Sequence, residues 1–303
     1  MTNQSVQIAK RLIGAGHPCF VIAEIGINHN GSIETALQLI DAAVAAGCQA
    51  VKFQKRTVDL VYSAAELQQP RENPFGPTNG DLKRGLEFGN KEYRMIDSYC
   101  REKDILWFAS SWDANSIDFM ENFTPPCHKI ASACLTHDDL LLHFRKTNRP
   151  LILSTGMSTM EQVRHAVELL GMENLILLHT TSTYPSKINI LNLRVIKTLQ
   201  SEFECPVGYS GHEVGLQTSV AAASLGACVV ERHLTLDRAM WGSDQAASVE
   251  PHGFARLIRD IRDVEVALGD GIKRLHDDEI PVMHKLRRPP LESIPACHTK
   301  LKE

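Results

Sequence analysis

Charged residues interrupt several apolar stretches of the sequence that would otherwise suit buried strands. Glu24 lies in the run FVIAEIG, Lys52 in AVKFQK and Lys129 in HKIAS. A buried charge is costly unless a partner neutralises it or hydrogen-bonds to it. Lysines surrounded by hydroxyl and amide donors suit an anionic phosphate or carboxylate ligand. A structural network, in which Lys52 and Lys129 pair with Glu24 and Glu231, is the alternative explanation.

Two histidines come at the ends of consecutive apolar runs: His212 follows VGYSG, and His233 follows CVVER. Imidazoles on neighbouring strands can converge on one divalent ion that keeps positions open for water and substrate. A pair of hydrogen-bonded structural histidines is the alternative. A nearby carboxylate such as Glu24 would favour the metal.

Hydroxyl and amide side chains accompany these charges at the ends of other runs. They are Gln54, Ser110, Ser132, Ser154, Ser182, Tyr184 and Ser210. One such residue alone is usually a turn residue or a helix cap. A set of them gathered with lysines, histidines and a glutamate needs hydrogen-bonding partners, and a bound ligand would supply them.

The elements that would gather these residues are eight short β-rich runs, mostly separated by segments with helical spacing. One such segment, STMEQVRHAVELLG, begins with a predicted capping box from Ser158 to Glu161. Alternating strands and helices indicate parallel βαβ units, and eight units predict an α/β fold of the (β/α)₈ TIM-barrel type. In such barrels the chemistry lies at the carboxyl ends of the strands. A doubly wound open sheet is disfavoured because no glycine-rich dinucleotide fingerprint follows a strand.

The spacing of the runs predicts a single-domain barrel over residues 1–271, followed by an extension over 272–303 that loses periodicity and gains prolines. The gap between the second and third runs is unusually long. We interpret residues 56–89 as an excursion over the mouth of the barrel, because long loops in compact domains are usually functional or mobile.

Composition and charge argue against several classes of function. The 303 residues carry a net charge of -4 and are 43% hydrophobic, and no long basic run predicts nucleic-acid binding. No apolar run reaches the roughly 18 residues of a membrane span, and the amino terminus lacks a signal-peptide pattern. The eight cysteines are scattered without a CxxC pair, which indicates a reducing compartment. We therefore expect a cytoplasmic protein.

Longer motifs make the sequence recognisable. AEIGINHNG, AVKFQ, HKIAS, LSTGMS, YP and VGYSGHEVGLQTSVAAASLGACVVERHLTLDRAMWGSDQAAS occur in that order. From about residue 20 to 269 the chain resembles the sialic acid (N-acetylneuraminate) synthase family. The resemblance implies a homodimeric, metal-dependent enzyme that condenses phosphoenolpyruvate with an open-chain aldose, giving a 3-deoxy-2-ulosonic acid and phosphate.

The resemblance also implies roles for individual residues. His212 and His233 would hold a divalent ion, most simply Mn²⁺, with Mg²⁺ or Co²⁺ as alternatives. Glu24 would lie beside the reacting carbons, and Gln54, Tyr184 and Asp244 would face the sugar. The residues expected around phosphoenolpyruvate are Lys52, Ser110, Lys129, Ser132, Ser154, Ser182 and Ser210.

The sequence departs from this family at three points. Cys134 stands where the family commonly has a glutamate, and Gln245 stands where it has a histidine. The chain ends at Glu303, before the antifreeze-like domain whose arginine reaches the partner's site, so Arg287 or Arg288 is a candidate replacement. These departures lie at the sugar end of the site, so the acceptor need not be the precursor of N-acetylneuraminate. A non-catalytic relative that binds phosphoenolpyruvate or a sugar, and a metal-dependent aldolase, are the alternatives.

Overall fold

The computed structural model describes residues 5–288. The strands are β1 (Val6–Ile8), β2 (Arg11–Ile13), β3 (Phe20–Gly26), β4 (Ala50–Lys55), β5 (Pro70–Asn73), β6 (Gly76–Thr78), β7 (Leu106–Ser111), β8 (His128–Ile130), β9 (Leu151–Ser154), β10 (Leu175–Thr180), β11 (Val207–Gly211) and β12 (Val229–His233). The helices are α1 (Ile33–Ala46), α2 (Val58–Val61), α3 (Ala64–Leu67), α4 (Asn79–Gly85), α5 (Asn90–Glu102), α6 (Ala114–Glu121), α7 (Asp138–Lys146), α8 (Met160–Leu170), α9 (Val195–Glu202), α10 (Gln217–Ser224), α11 (Pro251–Leu268) and α12 (Ile280–Leu286).

Eight parallel strands form a closed barrel in the order β3, β4, β7, β8, β9, β10, β11, β12. The ring closes where β12 pairs with β3 and sets His233 opposite Glu24. The predicted (β/α)₈ fold is confirmed. Each of the eight apolar runs contributes one barrel strand, which brings all eight carboxyl ends to one face.

Side-chain alternation decides which residues enter the barrel. On β3, Val21 and Ala23 pack in the layer that includes α1 and α11, whereas Phe20 and Ile22 belong to the apolar cluster inside the barrel. Glu24 has the same parity as Phe20 and Ile22, so it points inward above that cluster. Each barrel strand follows this pattern: its inward residues are apolar near the amino end and polar near the carboxyl end.

A hairpin that the sequence analysis did not predict precedes the barrel. β1 and β2 pair in antiparallel fashion, and Val6, Ile8 and Ile13 are buried in the same apolar cluster as the inward residues of the barrel strands. The hairpin therefore closes the amino-terminal end of the barrel. Its two strands are only three residues each, too short for a clear alternation pattern.

The excursion over residues 56–89 contains α2, α3, the β5–β6 hairpin and α4. The Phe75 ring lies 6.4 Å from that of Trp241, which is in the loop after β12. A side chain at Gly31, after β3, would collide with the Gly85 carbonyl, and Gly31 also adopts a φ of +76° that favours glycine. The excursion therefore packs on loops at the carboxyl ends of the barrel strands.

The start of one helix differs in detail from the sequence prediction. Helix α8 is capped by Thr159 and Gln162, so the capping box predicted from Ser158 to Glu161 is wrong by one residue. The Ser158 hydroxyl instead donates to the Gly156 carbonyl at 3.2 Å. A second compact unit begins at Leu268 and contains α12, with Arg287 and Arg288 just after that helix. Within residues 5–288, no helix combines the length and apolar character needed to cross a bilayer.

Candidate active site

A polar cavity of about 170 Å³ opens at the carboxyl ends of the barrel strands. Twelve of the thirteen predicted site residues line it: Glu24, Lys52, Gln54, Ser110, Lys129, Ser132, Ser154, Ser182, Tyr184, Ser210, His212 and His233. Asp244 is the exception. Glu231, first considered as a partner for the lysines, also lines the cavity, as does Thr180 at the polar end of β10. Trp112, Ala131, Ala133 and Met157 complete the lining and lacked a distinctive sequence signal.

Lys52 lies at the centre of a network of charged side chains in the cavity. Its Nζ lies 2.9 Å from Glu24 Oε2 and 3.5 Å from Glu231 Oε1, and it donates to Ser110 Oγ at 2.7 Å. Burial disfavours the ammonium ion, but the two carboxylates outweigh it and raise the pKa of Lys52. Lys52 is therefore charged, and the structural network considered as an alternative is present for this lysine.

Lys129 has no carboxylate within ion-pair distance among the described residues. Its Nζ donates to Ser154 Oγ at 2.6 Å and to the Ile130 carbonyl at 3.0 Å. Burial lowers the pKa of Lys129 to about 8, and the charge of Lys52 adds to this effect. A buried ammonium held only by neutral groups is an incomplete arrangement, which an anionic ligand would complete.

An irregularity in β3 orients Glu24. The register with β4 shifts between Glu24 and Gly26, so Glu24 pairs with Lys52 while Gly26 pairs with Phe53. Gly26 has a φ of +54°, and a Cβ there would lie 3.0 Å from Glu24 Oε1 and 3.1 Å from Gln54 Nε2. The glycine leaves room for Gln54 Nε2 to donate to Glu24 Oε1 at 2.9 Å. Bulges commonly re-aim side chains beside active sites.

Gly156 lies between two serine hydroxyls. Ser132 Oγ accepts a hydrogen bond from the Gly156 amide at 3.0 Å. A Cβ at Gly156 would lie 2.8 Å from Ser132 Oγ and would overlap Ser182 Oγ. The missing side chain lets hydroxyls from the loops after β8 and β10 approach each other, next to Lys129 and Ser154. This corner of the cavity concentrates hydrogen-bond donors suited to an anion.

His212 and His233 face each other across the cavity with ring centroids 5.5 Å apart. His212 Nδ1 lies 2.8 Å from the Thr181 carbonyl, so Nδ1 carries the proton and the Nε2 lone pair is free. Burial and the neighbouring His233 lower the pKa of His212 to about 4, which keeps it neutral. His233 Nδ1 is buried without a hydrogen-bond partner. An imidazole nitrogen with a free lone pair, such as His212 Nε2, is a suitable metal ligand.

Tyr184 and Asp244, two of the three residues expected to face the sugar, lie beside these histidines. The Tyr184 ring is 4.1 Å from that of His212, and the residue is 48% exposed. Asp244 Oδ2 lies 3.7 Å from His233 Nδ1, although Asp244 does not line the cavity. Among the described residues, no group of three His, Cys, Asp or Glu side chains is placed to hold one metal ion, so the predicted site rests on the two histidines.

Residues 39–273, well over half of the chain, match the NeuB family. The chain belongs to the NeuB family. It is 40% identical over 91% of its length to N-acetylneuraminate-9-phosphate synthase of Mus musculus and covers 78% of that protein. It is 35% identical over 91% of its length to N,N'-diacetyllegionaminic acid synthase of Legionella pneumophila, covering 80% of it. The structure of N-acetylneuraminic acid (sialic acid) synthetase from Leptospira borgpetersenii, solved in complex with citrate, superimposes with a TM-score of 0.83 at 30% identity, over 95% of this chain and 99% of that one.

Cys134 and Gln245, where the resemblance led us to expect departures from the family pattern, do not line the cavity of this NeuB-family protein. Cys134 belongs to the apolar cluster between the barrel and α7–α9, and burial raises its thiol pKa to about 11. Gln245 is buried, bonds to Thr235 Oγ1, and donates to the Asn28 carbonyl at 3.2 Å. Cys134 is therefore a protonated packing residue near neutral pH, and Gln245 fastens the loop after β12 to the loop after β3.

A buried ion pair, missed by the sequence analysis, lies behind the histidines of this NeuB-family site. Arg232 Nη1 is 3.1 Å from Glu213 Oε1, with both side chains at most 1% exposed. Arg232 also donates to the carbonyls of Glu213 at 2.5 Å and Gly215 at 2.9 Å. Because Arg232 precedes His233 and Glu213 follows His212, this pair fixes the two histidine-bearing strand ends relative to each other.

We expect Glu213→Ala to lower the free energy of unfolding by about 3–5 kcal/mol, because it leaves the Arg232 charge buried without a partner. Urea denaturation measures this loss. The double change Glu213→Leu with Arg232→Met removes both charges and is expected to recover most of the stability. Equal destabilisation by the single and double changes would contradict the ion-pair explanation.

Proposed function

We propose that the protein condenses phosphoenolpyruvate with the aldehyde carbon of an open-chain aldose, giving a 3-deoxy-2-ulosonic acid and inorganic phosphate. The observation that carries the proposal is that two buried lysines, several serine hydroxyls, Glu24 and two histidines meet in one cavity. Membership of the NeuB family, whose relatives here are named as nonulosonic acid synthases, supports the same reaction.

The lysines and serines would bind the anionic ends of phosphoenolpyruvate. Lys129 has neutral partners only, so it is free to pair with a phosphate or carboxylate oxygen. The hydroxyls of Ser132 and Ser182 lie beside it, around Gly156. Charge-assisted hydrogen bonds of this type are stronger than neutral ones, so this corner would hold the substrate firmly in one orientation.

The cavity fits the divalent ion that the family resemblance implies. The free Nε2 of His212 and a nitrogen of His233 would hold it, with Glu24 nearby, and Mn²⁺ is the ion we propose. When bound, such an ion supplies Lewis-acid polarisation of the acceptor's aldehyde oxygen.

The reaction joins C3 of phosphoenolpyruvate to the aldehyde carbon, whose oxygen becomes a hydroxyl. C2 is left electron-poor and takes up water, and Glu24 is placed to accept a proton from that water because its Oε1 is held by Gln54. This proton passes on to the former aldehyde oxygen, which thereby becomes the hydroxyl. The C2–O bond to phosphate in the resulting tetrahedral carbon then breaks while the C2 hydroxyl gives its proton to the departing phosphate, which leaves a 2-keto group. Lys52 and Lys129 would neutralise the departing phosphate.

Phosphate release from phosphoenolpyruvate in the presence of Mn²⁺ and a panel of aldoses tests this proposal. We expect release that depends on one of the sugars, with N-acetylmannosamine, mannose, arabinose and diamino hexoses in the panel. A metal-dependent aldolase would cleave or form the carbon–carbon bond without releasing phosphate. A binding-only protein would bind phosphoenolpyruvate calorimetrically and release nothing. The homodimer that the resemblance implies is tested by sedimentation.

The protonation of Lys129 predicts a pH dependence of substrate affinity. Its pKa near 8 means that Lys129 is charged below that pH and neutral above it, so phosphoenolpyruvate affinity is expected to fall as the pH rises through 8. Loss of one charge-assisted contact weakens binding about 10- to 100-fold. Lys129→Ala is expected to cause the same loss at neutral pH and to abolish the inflection, whereas Lys129→Arg moves it out of range. Calorimetric titration with phosphoenolpyruvate alone, from neutral to alkaline pH, measures all three proteins, and an unchanged affinity for Lys129→Ala contradicts the assignment.

A further inference from the structure

Gln54 is held from several sides at the wall of the cavity. Its Nε2 donates to Glu24 Oε1 at 2.9 Å, and its Oε1 accepts a hydrogen bond from Arg56 Nη2. Its backbone carbonyl accepts a further bond from the Tyr93 hydroxyl at 2.9 Å. Gln54 and Glu24 line the cavity, whereas Arg56 and Tyr93 do not. Arg56 therefore reaches the reacting centre only through side chains of the lining.

The Arg56 guanidinium decides which way the Gln54 amide points. A guanidinium has N–H donors and no acceptor, so the amide atom that faces it has to be the oxygen. The reversed amide would set its NH₂ group against the guanidinium and its oxygen against the Glu24 carboxylate, and both contacts would be repulsive. Only the N–H side of Gln54 is then left for Glu24 and for a molecule in the cavity.

The guanidinium is itself held in one place. Glu87 Oε1 lies 3.2 Å from Arg56 Nη1, and Glu87 Oε2 accepts a hydrogen bond from the Arg56 backbone amide at 3.1 Å. The guanidinium also lies over the Trp112 ring, 4.5 Å from its centre, in a cation–π contact. The Arg56 side chain is only 10% exposed. These contacts make Arg56 a rigid donor, and a rigid donor fixes the amide oxygen that accepts from it.

We propose that Arg56 is a positioning residue for the condensation, which fixes Gln54 so that it meets Glu24 and the acceptor sugar as a hydrogen-bond donor only. The inference rests on the proposed function and deepens it, because it states the specificity of one wall of the acceptor site. The amide nitrogen of Gln54 carries two N–H groups. One donates to Glu24, and the other is available to the aldose, which has to present an accepting oxygen at this point.

Arg56→Met tests the role because it removes the cation and keeps an unbranched side chain. Glu87 retains Lys55 at 3.4 Å and the backbone amide of residue 56, so the base of the excursion is expected to stay closed. We expect kcat/KM for the aldose to fall about 10- to 100-fold, the effect of one hydrogen bond to a charged group. Arg56→Lys, which keeps a donor that cannot accept, is expected to restore most of the loss.

Steady-state phosphate release measures these values, and calorimetric titration measures the affinity for phosphoenolpyruvate alone. That affinity is expected to stay the same in Arg56→Met, because Lys129 and Ser154 contact each other and not Arg56. Arg164→Met is the matched control, since Arg164 pairs with Glu202 on the exposed surface of the outer helices. An unchanged kcat/KM in Arg56→Met would overturn the inference.

A double-mutant cycle separates positioning from a general structural role. If Arg56 acts through Gln54, then Gln54→Met alone causes a loss at least as large. Adding Arg56→Met to Gln54→Met is then expected to lower kcat/KM by less than about 2-fold more, which is the usual error of additivity. Losses that multiply would show that Arg56 acts independently of Gln54, and would contradict the proposal.

A spectroscopic measurement that needs no turnover keeps this inference apart from the proposed reaction. In protein made with ¹⁵N-labelled glutamine, the Nε2 hydrogens of Gln54 are assigned by their loss in Gln54→Met. We expect two separate resonances that exchange slowly with water in the wild-type protein and in Arg164→Met, and faster exchange in Arg56→Met. If no aldose turns over, this result still supports the positioning role and places the failure in the reaction. Fast exchange in the wild-type protein, which does not depend on how Arg56→Met folds, or unchanged exchange in Arg56→Met overturns the inference.

Discussion

Glu24→Gln is expected to lower kcat by about 10²- to 10⁴-fold, the usual contribution of a positioned general base. Glutamine has the same shape, and its amide oxygen can still accept the hydrogen bond from Gln54. What it loses is the ability to take a proton from the attacking water. Phosphoenolpyruvate affinity is not expected to weaken, because Lys52 keeps Glu231 at 3.5 Å and is released from the competing carboxylate of Glu24. Steady-state phosphate release and calorimetric titration measure the two quantities separately.

Glu231→Gln is the informative comparison for this experiment. Both carboxylates neutralise Lys52, but Glu24 is the one held by Gln54 at the outer side of the cavity. If Glu24 served only to balance the lysine, the two glutamine variants would reduce kcat equally and would both change phosphoenolpyruvate affinity. A large loss of kcat confined to Glu24→Gln supports the proton-transfer role, and a loss below about 10-fold contradicts it.

His212→Ala is expected to abolish both metal binding and turnover. Changes in residues that merely orient metal ligands typically reduce metal affinity about 10- to 100-fold, so removal of a ligand itself is expected to exceed that loss. Titration with Mn²⁺, followed by calorimetry or electron paramagnetic resonance without any substrate, measures the affinity directly. Phosphate release measured over a range of added Mn²⁺ then shows whether excess metal restores turnover.

His165→Ala is the control, because His165 lies on the surface of α8 next to Asp138. It removes an imidazole from the protein without touching the cavity. Unchanged Mn²⁺ affinity in His212→Ala would contradict the proposed metal role. Full turnover by the wild-type protein after metal depletion would contradict it as well. Thermal unfolding of both variants shows whether any loss is one of folding instead.

The barrel and most of its candidate site were predictable because two patterns in the sequence agree. One is the two-residue alternation of side chains along each strand, and the other is the repeated order of strand and helix. Polar residues such as Glu24, Lys129 and Ser154 keep the inward parity of their strands, and closing the ring brings residues from all over the chain to one face. Side-chain alternation and strand order therefore suffice to predict which residues lie together at this face of the barrel. They do not predict distances, and so they left open whether Lys52 pairs with Glu24, with Glu231 or with neither.

The features that escaped prediction depend on contacts without a local signature. Arg56 lies at the cavity edge because it stacks on Trp112 and bonds to Gln54, and nothing in the sequence around it indicates that arrangement. The pairing of Arg232 with Glu213 needed the alternation of β12 and the path of the loop after β11 to be known together. Asp244, expected in the site, does not line the cavity, and the neighbouring Gln245 donates to the Asn28 carbonyl in the loop after β3.

The apolar cluster that fills the amino-terminal half of the barrel, which the hairpin of β1 and β2 covers, has a kinetic consequence. Because this end of the barrel is packed, substrates and products can pass only through the opening at the carboxyl ends of the strands. In the proposed reaction phosphoenolpyruvate would bind beside the buried Lys129 and Ser154, so it would have to enter before an aldose occupies the space above it. Substrate addition is then ordered, and the phosphate formed at the bottom leaves after the ulosonic acid. Inorganic phosphate should accordingly inhibit competitively against phosphoenolpyruvate and non-competitively against the sugar.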